Sequence, residues 1–223
     1  MSALPEDALA ATPTPAVPDA AVLPATPPAA RKRPRPGERR VQILQTLAQM
    51  LEQPGAERIT TAALAAKLEV SEAALYRHFA SKAQMFEGLI EFIETSVFTL
   101  VNQIVEREPS GSAQVQKIAA MLLQFGEKNP GMVRVMVGDA LVFEHERLNA
   151  RMNQFFDRLE SQLRQSLRAA AVAAGSATPT VDAQALASAL VALLVGRLQR
   201  YARSGFRRLP TEHLEPALAR LAA

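Results

Sequence analysis

The sequence contains no cysteine and no tryptophan, and aromatic residues make up only 5% of it. The missing thiols exclude disulfides and thiolate metal sites, and they are compatible with a reducing compartment. The shortage of aromatic side chains leaves little from which to build the wall of a small-molecule pocket. No unbroken apolar run reaches bilayer length either: the longest, residues 185–196, falls short of the roughly 20 residues a spanning helix needs, so a soluble chain with no membrane span is expected. Catalytic signatures are missing as well. His145-Glu146 opens like a zincin motif, but Asn149 stands where the second histidine is required, and no P-loop, dinucleotide fingerprint or nucleophile elbow appears. His213 is isolated and reads as a surface group. Neither an enzyme, a metal site nor a cofactor is expected.

What the sequence does hold is helix-forming apolar content. At 48% apolar over 223 residues it can bury a substantial core. Net charge is only +3, yet between Arg31 and Met85 ten Lys or Arg face five Glu, where a phosphate-binding surface is expected. Residues 1–37 carry nine of the 15 prolines and ten alanines with few large apolar side chains, and are expected to be disordered. Arg31, Lys32, Arg33, Arg35, Arg39 and Arg40 form a basic arm that either touches the DNA backbone or minor groove or is a solvated tail.

Helix one is expected over residues 38–53, with Val41, Leu44, Leu47, Ala48 and Leu51 at helical spacing. Thr60 or Thr61 can cap a second helix over residues 61–68. Glu69 and Val70 interrupt it, and Ser71 caps a short third helix with Glu72 in its first turn. At about 100° per residue, Leu75 and Phe79 then share an inward face while Ala73, Tyr76 and Arg77 project outward. Ser81 and Gln84 read as a capping box that opens a long helix over residues 82–106 and places Lys82 at its start. A capped three-helix unit with a basic, tyrosine-bearing second element is what major-groove docking needs. Further helices are expected over residues 112–128, onward to about residue 174, over 182–203 and over 211–221. Leu148, Met152, Phe155, Leu159 and Leu163 form one apolar stripe, more simply core than a ligand box. Leu186, Ala189, Leu190, Leu193, Leu194 and Tyr201 form another.

The run VSEAALYRHFASKAQMF resembles the helix-turn-helix signature of the TetR family of transcriptional regulators. The blocks RITTAALAAKLEVSEAALYRHF, LIEFIE, FGEKNPG and LNARMNQFFDRLESQLRQ resemble its nucleoid-occlusion branch more closely. The resemblance implies an all-α fold: a helix-turn-helix head over residues 38–86 behind the tail of residues 1–37, and a helical dimerisation and partner-binding body over 87–223. Thr60, Thr61, Ser71, Ala73, Tyr76, Arg77, His78 and Lys82 are the expected DNA-binding residues, with Thr60, Tyr76, His78 and Lys82 on phosphates, Arg77 on a guanine or another phosphate, and Ala73 small enough to approach a base edge such as a thymine methyl. The second stripe, Leu186 to Tyr201, either finishes the protomer's own core or, as the resemblance implies, forms a four-helix bundle between two copies, giving a homodimer for palindromic sites, with more than one dimer per site a further possibility.

The same resemblance implies a second partner, the C-terminal tail of the tubulin-like division protein FtsZ. Phe92, Met121, Lys128 and Asn129 are the residues it places in that groove, and it implies a cytoplasmic, nucleoid-associated protein that inhibits Z-ring assembly when on DNA. Three positions depart from the pattern: Glu69 stands where the turn has glycine, Leu100 where a basic residue is usual, and Gln124 where glycine is usual. The competing reading is a TetR-type repressor released from DNA by a small apolar effector.

Overall fold

A computed structural model describes residues 37–53 and 58–221. The tail and most of the basic arm therefore lie outside the described residues, as does the Pro54-Gly55 pair after helix one. The order is α1 (Glu38–Leu51), α2 (Thr61–Lys67), α3 (Glu72–Tyr76), α4 (Lys82–Arg107), α5 (Gly111–Lys128), α6 (Pro130–Met136), a 3-10 turn (Asp139–Leu141), α7 (Glu146–Ala173), α8 (Pro179–Arg203) and α9 (Leu214–Leu221). Among the described residues there is no strand, and the fold is all-α.

The first three helices pack over the start of α4 through Ile43, Leu47, Leu64, Leu75, Phe79 and Phe86, each nearly inaccessible. Beyond that, α4 runs into a second group of helices, where α5 and α7 cover it and α8 lies along α7. The predicted α7 stripe is the seam: Leu148, Met152, Phe155, Leu159 and Leu163 are all buried. Each such side chain contributes about 1.5–3 kcal/mol relative to exposure.

Two glycines set how closely backbones approach. A Cβ at Gly131 on α6 would lie 2.1 Å from the Ala48 carbonyl oxygen on α1, and one at Gly111 on α5 would lie 2.2 Å from that of Ser166 on α7. The first contact joins the head to the rest. Beside it, Glu52 accepts the Gly131 backbone N–H, and burial, the larger effect, raises its carboxyl above the usual range.

By length and mean hydropathy alone, α4 (1.3) and α8 (1.5) are each apolar enough to cross a membrane, a test that the core helix of a soluble protein also passes. The fold departs from other sequence expectations. The second stripe divides between two faces: Leu190, Leu194 and Tyr201 complete the protomer's own core, Leu186 and Leu193 are half-buried, and Ala189 is exposed. An apolar helix with two buried faces shows little periodicity to tell one from the other. The last helix begins only at Leu214, since His213 adopts a left-handed φ of 54°.

Candidate nucleic-acid interface

The helix-turn-helix is assembled by local hydrogen bonds. Thr60 Oγ1 accepts the Ala63 N–H at 3.1 Å and so caps α2. The helix ends where Val70 N–H reaches the Ala65 carbonyl at 3.0 Å and Glu69 N–H reaches that of Ala66 at 3.1 Å. That pattern turns the chain through a left-handed residue, and Glu69 takes it with φ 56°. The glycine-type turn is thus retained with a side chain in it, at a local cost of about 1–2 kcal/mol.

Ser71 occupies the cap position of α3, but its side chain makes no capping hydrogen bond. Thr61 Oγ1 instead donates to Glu72 Oε2 at 2.6 Å, tying the start of α2 to the start of α3. The third helix is short, ending at Tyr76. Arg77 and His78 therefore lie in the turn that follows, rather than on the helix. Leu75 and Phe79 are buried beneath, while Ala73, Tyr76, Arg77 and His78 are exposed, Tyr76 at 46%. Gln84 N–H binds Ser81 Oγ at 3.2 Å, while the Gln84 side-chain oxygen takes the Ala80 N–H at 2.8 Å, one residue before that of the expected capping box.

Three contacts here were not legible in the sequence. Arg40 on α1 lies 4.2 Å over the Phe79 ring and donates to the His78 carbonyl at 3.1 Å, bracing the end of the reading segment. Lys82 is ion-paired with Glu144, 62 residues away in the turn before α7. Arg58 sits 5.7 Å from the ring of Phe143, which is 67% exposed. The expected phosphate clamp at Lys82 is thus already held by a carboxylate of the other helical group.

The four residues expected in the peptide groove are not brought to one surface. Met121 is 2% exposed and faces the core. Asn129 is 5% exposed, and its Nδ2 donates to the Phe125 carbonyl at 2.9 Å at the end of α5. Phe92 is half-buried with its ring 6.3 Å from that of Phe125, and Lys128 is exposed. Leu100 is buried and Gln124 half-buried. Among the described residues no cluster of His, Asp or Glu could hold a metal ion.

Solved structures with this architecture are regulators. The ketosteroid regulator KstR2 of Mycobacterium tuberculosis superposes with a TM-score of 0.66 at 18% identity, covering 83% of this chain and 93% of that one. FadR from Bacillus subtilis, in complex with stearoyl-CoA, gives 0.64 at 11%, covering 81% and 96%. The model for bacterial regulatory proteins of the tetR family matches residues 43–89, and a SlmA-like, tetracyclin repressor-like C-terminal domain model matches residues 111–221. Fold and head together define a TetR-type regulator.

Sequence relatives narrow this further. Nucleoid occlusion factor SlmA from Marinomonas sp. (strain MWYL1) is 51% identical over 175 residues, 78% of this chain and 88% of that protein. Its counterpart from Aliivibrio fischeri (strain MJ11) is 51% identical over 195 residues, 85% and 97%. The chain belongs to the SlmA nucleoid occlusion factors of the TetR family. It is a regulator and not an enzyme.

Proposed function

We propose that this chain is a DNA-bound inhibitor of cell division. As a two-fold dimer it docks α3 of each protomer in the major groove of a palindromic chromosomal site, with residues 38–86 as head and 87–223 as body. In that state it engages FtsZ and blocks Z-ring assembly over the nucleoid, acting in the cytoplasm on the nucleoid. The observation that carries the reading is the exposed Tyr76-Arg77-His78 edge on a capped helix-turn-helix, in a chain 51% identical to nucleoid occlusion factors over most of its length.

Phosphate contacts supply most of the affinity in such a head, and few side chains supply sequence discrimination. Thr60 and Thr61 at the start of α2, with Ser71, Tyr76 and His78, are assigned to the backbone, and Lys82 joins them once it exchanges its Glu144 ion pair for a phosphate. Ala73 is small enough for a base edge to approach, and Arg77 is the candidate guanine reader. Dimerisation falls to the outer face of α8, where Ala185, Ser188, Ala189 and Ala192 are exposed and a Cβ at Gly196 would meet nothing within 4 Å. Small side chains there let a second helix come close, and Leu186 and Leu193 flank the seam. The FtsZ tail is assigned to the surface carrying Phe92 and Lys128, with Met121 and Asn129 supporting it from beneath.

The test is FtsZ pelleting with GTP, in the presence of the protein with and without a duplex carrying its site. Polymer is expected to fall only when both are present. Unchanged polymer in that mixture would overturn the proposal. A repressor released by an effector is the second reading, favoured by a cavity of about 300 Å³ whose lining includes Val115, Leu167, Leu186, Leu190 and Leu218, with Ser112, Gln116 and Asp182 as its polar groups. Release from DNA by a small apolar ligand, without any effect on FtsZ, would select it.

A further inference from the structure

The strongest charged feature outside the head is an arginine cleft of about 840 Å³ between the last turns of α8 and the segment that leads to α9. Arg200, Arg207 and Arg208 line it, with Arg203 one turn of helix beyond Arg200. The side chains of Arg200, Arg203 and Arg208 have no ion-pair or hydrogen-bond partner among the described residues. Glu212, the acidic residue on the rim, lies 3.7 Å from His213 Nε2.

The cleft is pre-formed. Arg197 donates to the Pro210 carbonyl at 3.0 Å and the Glu212 carbonyl at 2.7 Å, strapping the far wall to α8. Ser204 Oγ accepts the N–H groups of Arg207 at 3.0 Å and Arg208 at 2.9 Å, fixing the backbone that carries both. Phe206 holds a left-handed φ of 63°, with its ring 5.2 Å from Tyr201 and 5.3 Å from the Arg134 guanidinium. The helix dipole favours cations at the end of α8, which accounts for Arg200 and Arg203. It does not account for Arg207 and Arg208, which lie past the helix.

Position distinguishes the anion. Leu198, one turn before Tyr201, packs against Gly126 near the end of α5, and Gly131 at the start of α6 packs against Ala48 of α1. The cleft thus opens at the end of α8 on the side of α1 and the head, about 37 Å along α8 from its other end. Its floor shares Leu193 and Gly196 with the proposed dimer seam, so a two-fold dimer would gather two such clusters beside the axis, between the heads. Four lining arginines against Glu212 leave each cleft a net charge of +3, and two such clefts side by side call for an anion, which a duplex spanning the two heads presents. Guanidinium forks suit phosphate oxygens.

We propose that this cleft is a second phosphodiester site that takes the DNA backbone between the two half-sites. The proposal rests on the DNA-bound dimer described above. The test compares the full chain with Arg200→Gln/Arg208→Gln, measuring affinity for a site-bearing duplex across salt concentrations, with dimer state and melting temperature checked for both. The salt slope is expected to fall by about 0.9 for each phosphate no longer neutralised, hence by about 1.8 or more, while Arg200→Lys/Arg208→Lys keeps it. An unchanged slope in a folded dimer would overturn the proposal. So would sodium tripolyphosphate that binds the wild type and not the Gln variant while the DNA slopes are equal, because the ligand would then be a free polyphosphate. Failure of the wild type to bind any duplex would instead remove the DNA reading itself.

Discussion

Replacing Gly131 by alanine tests the joint between the head and the rest of the molecule. The new methyl would lie 2.1 Å from the Ala48 carbonyl oxygen, 3.0 Å from its carbon and 3.3 Å from the Leu51 Cβ. A backbone oxygen inside a helix cannot swing aside as a side-chain end can, so α1 and α6 must move apart. α1 carries Leu47 and Leu51, both 1% exposed, so parting loosens the head's core at the same time. Overpacking of this kind costs about 1–3 kcal/mol, and the backbone contact places Gly131→Ala near the upper figure. For a chain of this size that corresponds to a fall of about 6–12 °C in melting temperature. Thermal melts followed by circular dichroism give the stability, and DNA affinity measured well below the transition gives the coupling. Because α1 also carries Arg40, which braces the reading segment, affinity should fall as well. Gly111→Ala meets a similar overlap with Ser166 between α5 and α7, and should lose stability while the folded protein keeps its DNA affinity. A Gly131→Ala melt within about 1 °C of wild type would refute the packing on which this rests.

Other perturbations have equally definite outcomes. Glu69→Gly relieves the left-handed strain at φ 56° but adds unfolded-state freedom, and should stabilise by about 0.5–1 kcal/mol in denaturant titrations. Glu144→Gln frees Lys82 for phosphate, and since a partly exposed pair is worth less than about 1 kcal/mol, DNA affinity should rise up to about fivefold. Tyr76→Ala should weaken binding across all sequences, and Lys82→Ala should lower the salt slope by about one. The raised carboxyl of Glu52 binds its proton more tightly folded than unfolded, so its contribution to stability declines as pH rises from the usual carboxylate range through the raised value. Glu52→Gln should flatten that part of the stability profile.

What the sequence revealed follows from how far apart the interacting groups lie. The Thr60 and Ser81 caps act within three residues, so a short motif announces them. The turn at Glu69 came from resemblance, which left open whether it is kept or reshaped; it is kept, and the two hydrogen bonds around it are made by the backbone. Lys82 with Glu144 spans 62 residues and Arg40 with His78 spans 38, and nothing local in the sequence encodes either. The faces of α8 could not be told apart because apolar residues surround much of the helix, so core and seam were both open for Leu190, Leu194 and Tyr201, which fill the core. Met121 and Asn129 came from resemblance, and the structure turns Met121 inward and uses Asn129 to close α5.

The central claim is that this regulator marks the chromosome for the division machinery, and a genome-wide occupancy map of the protein in growing cells tests it most directly. Nucleoid occlusion predicts many sites dispersed over the chromosome and away from promoters. A single site beside its own gene would contradict it.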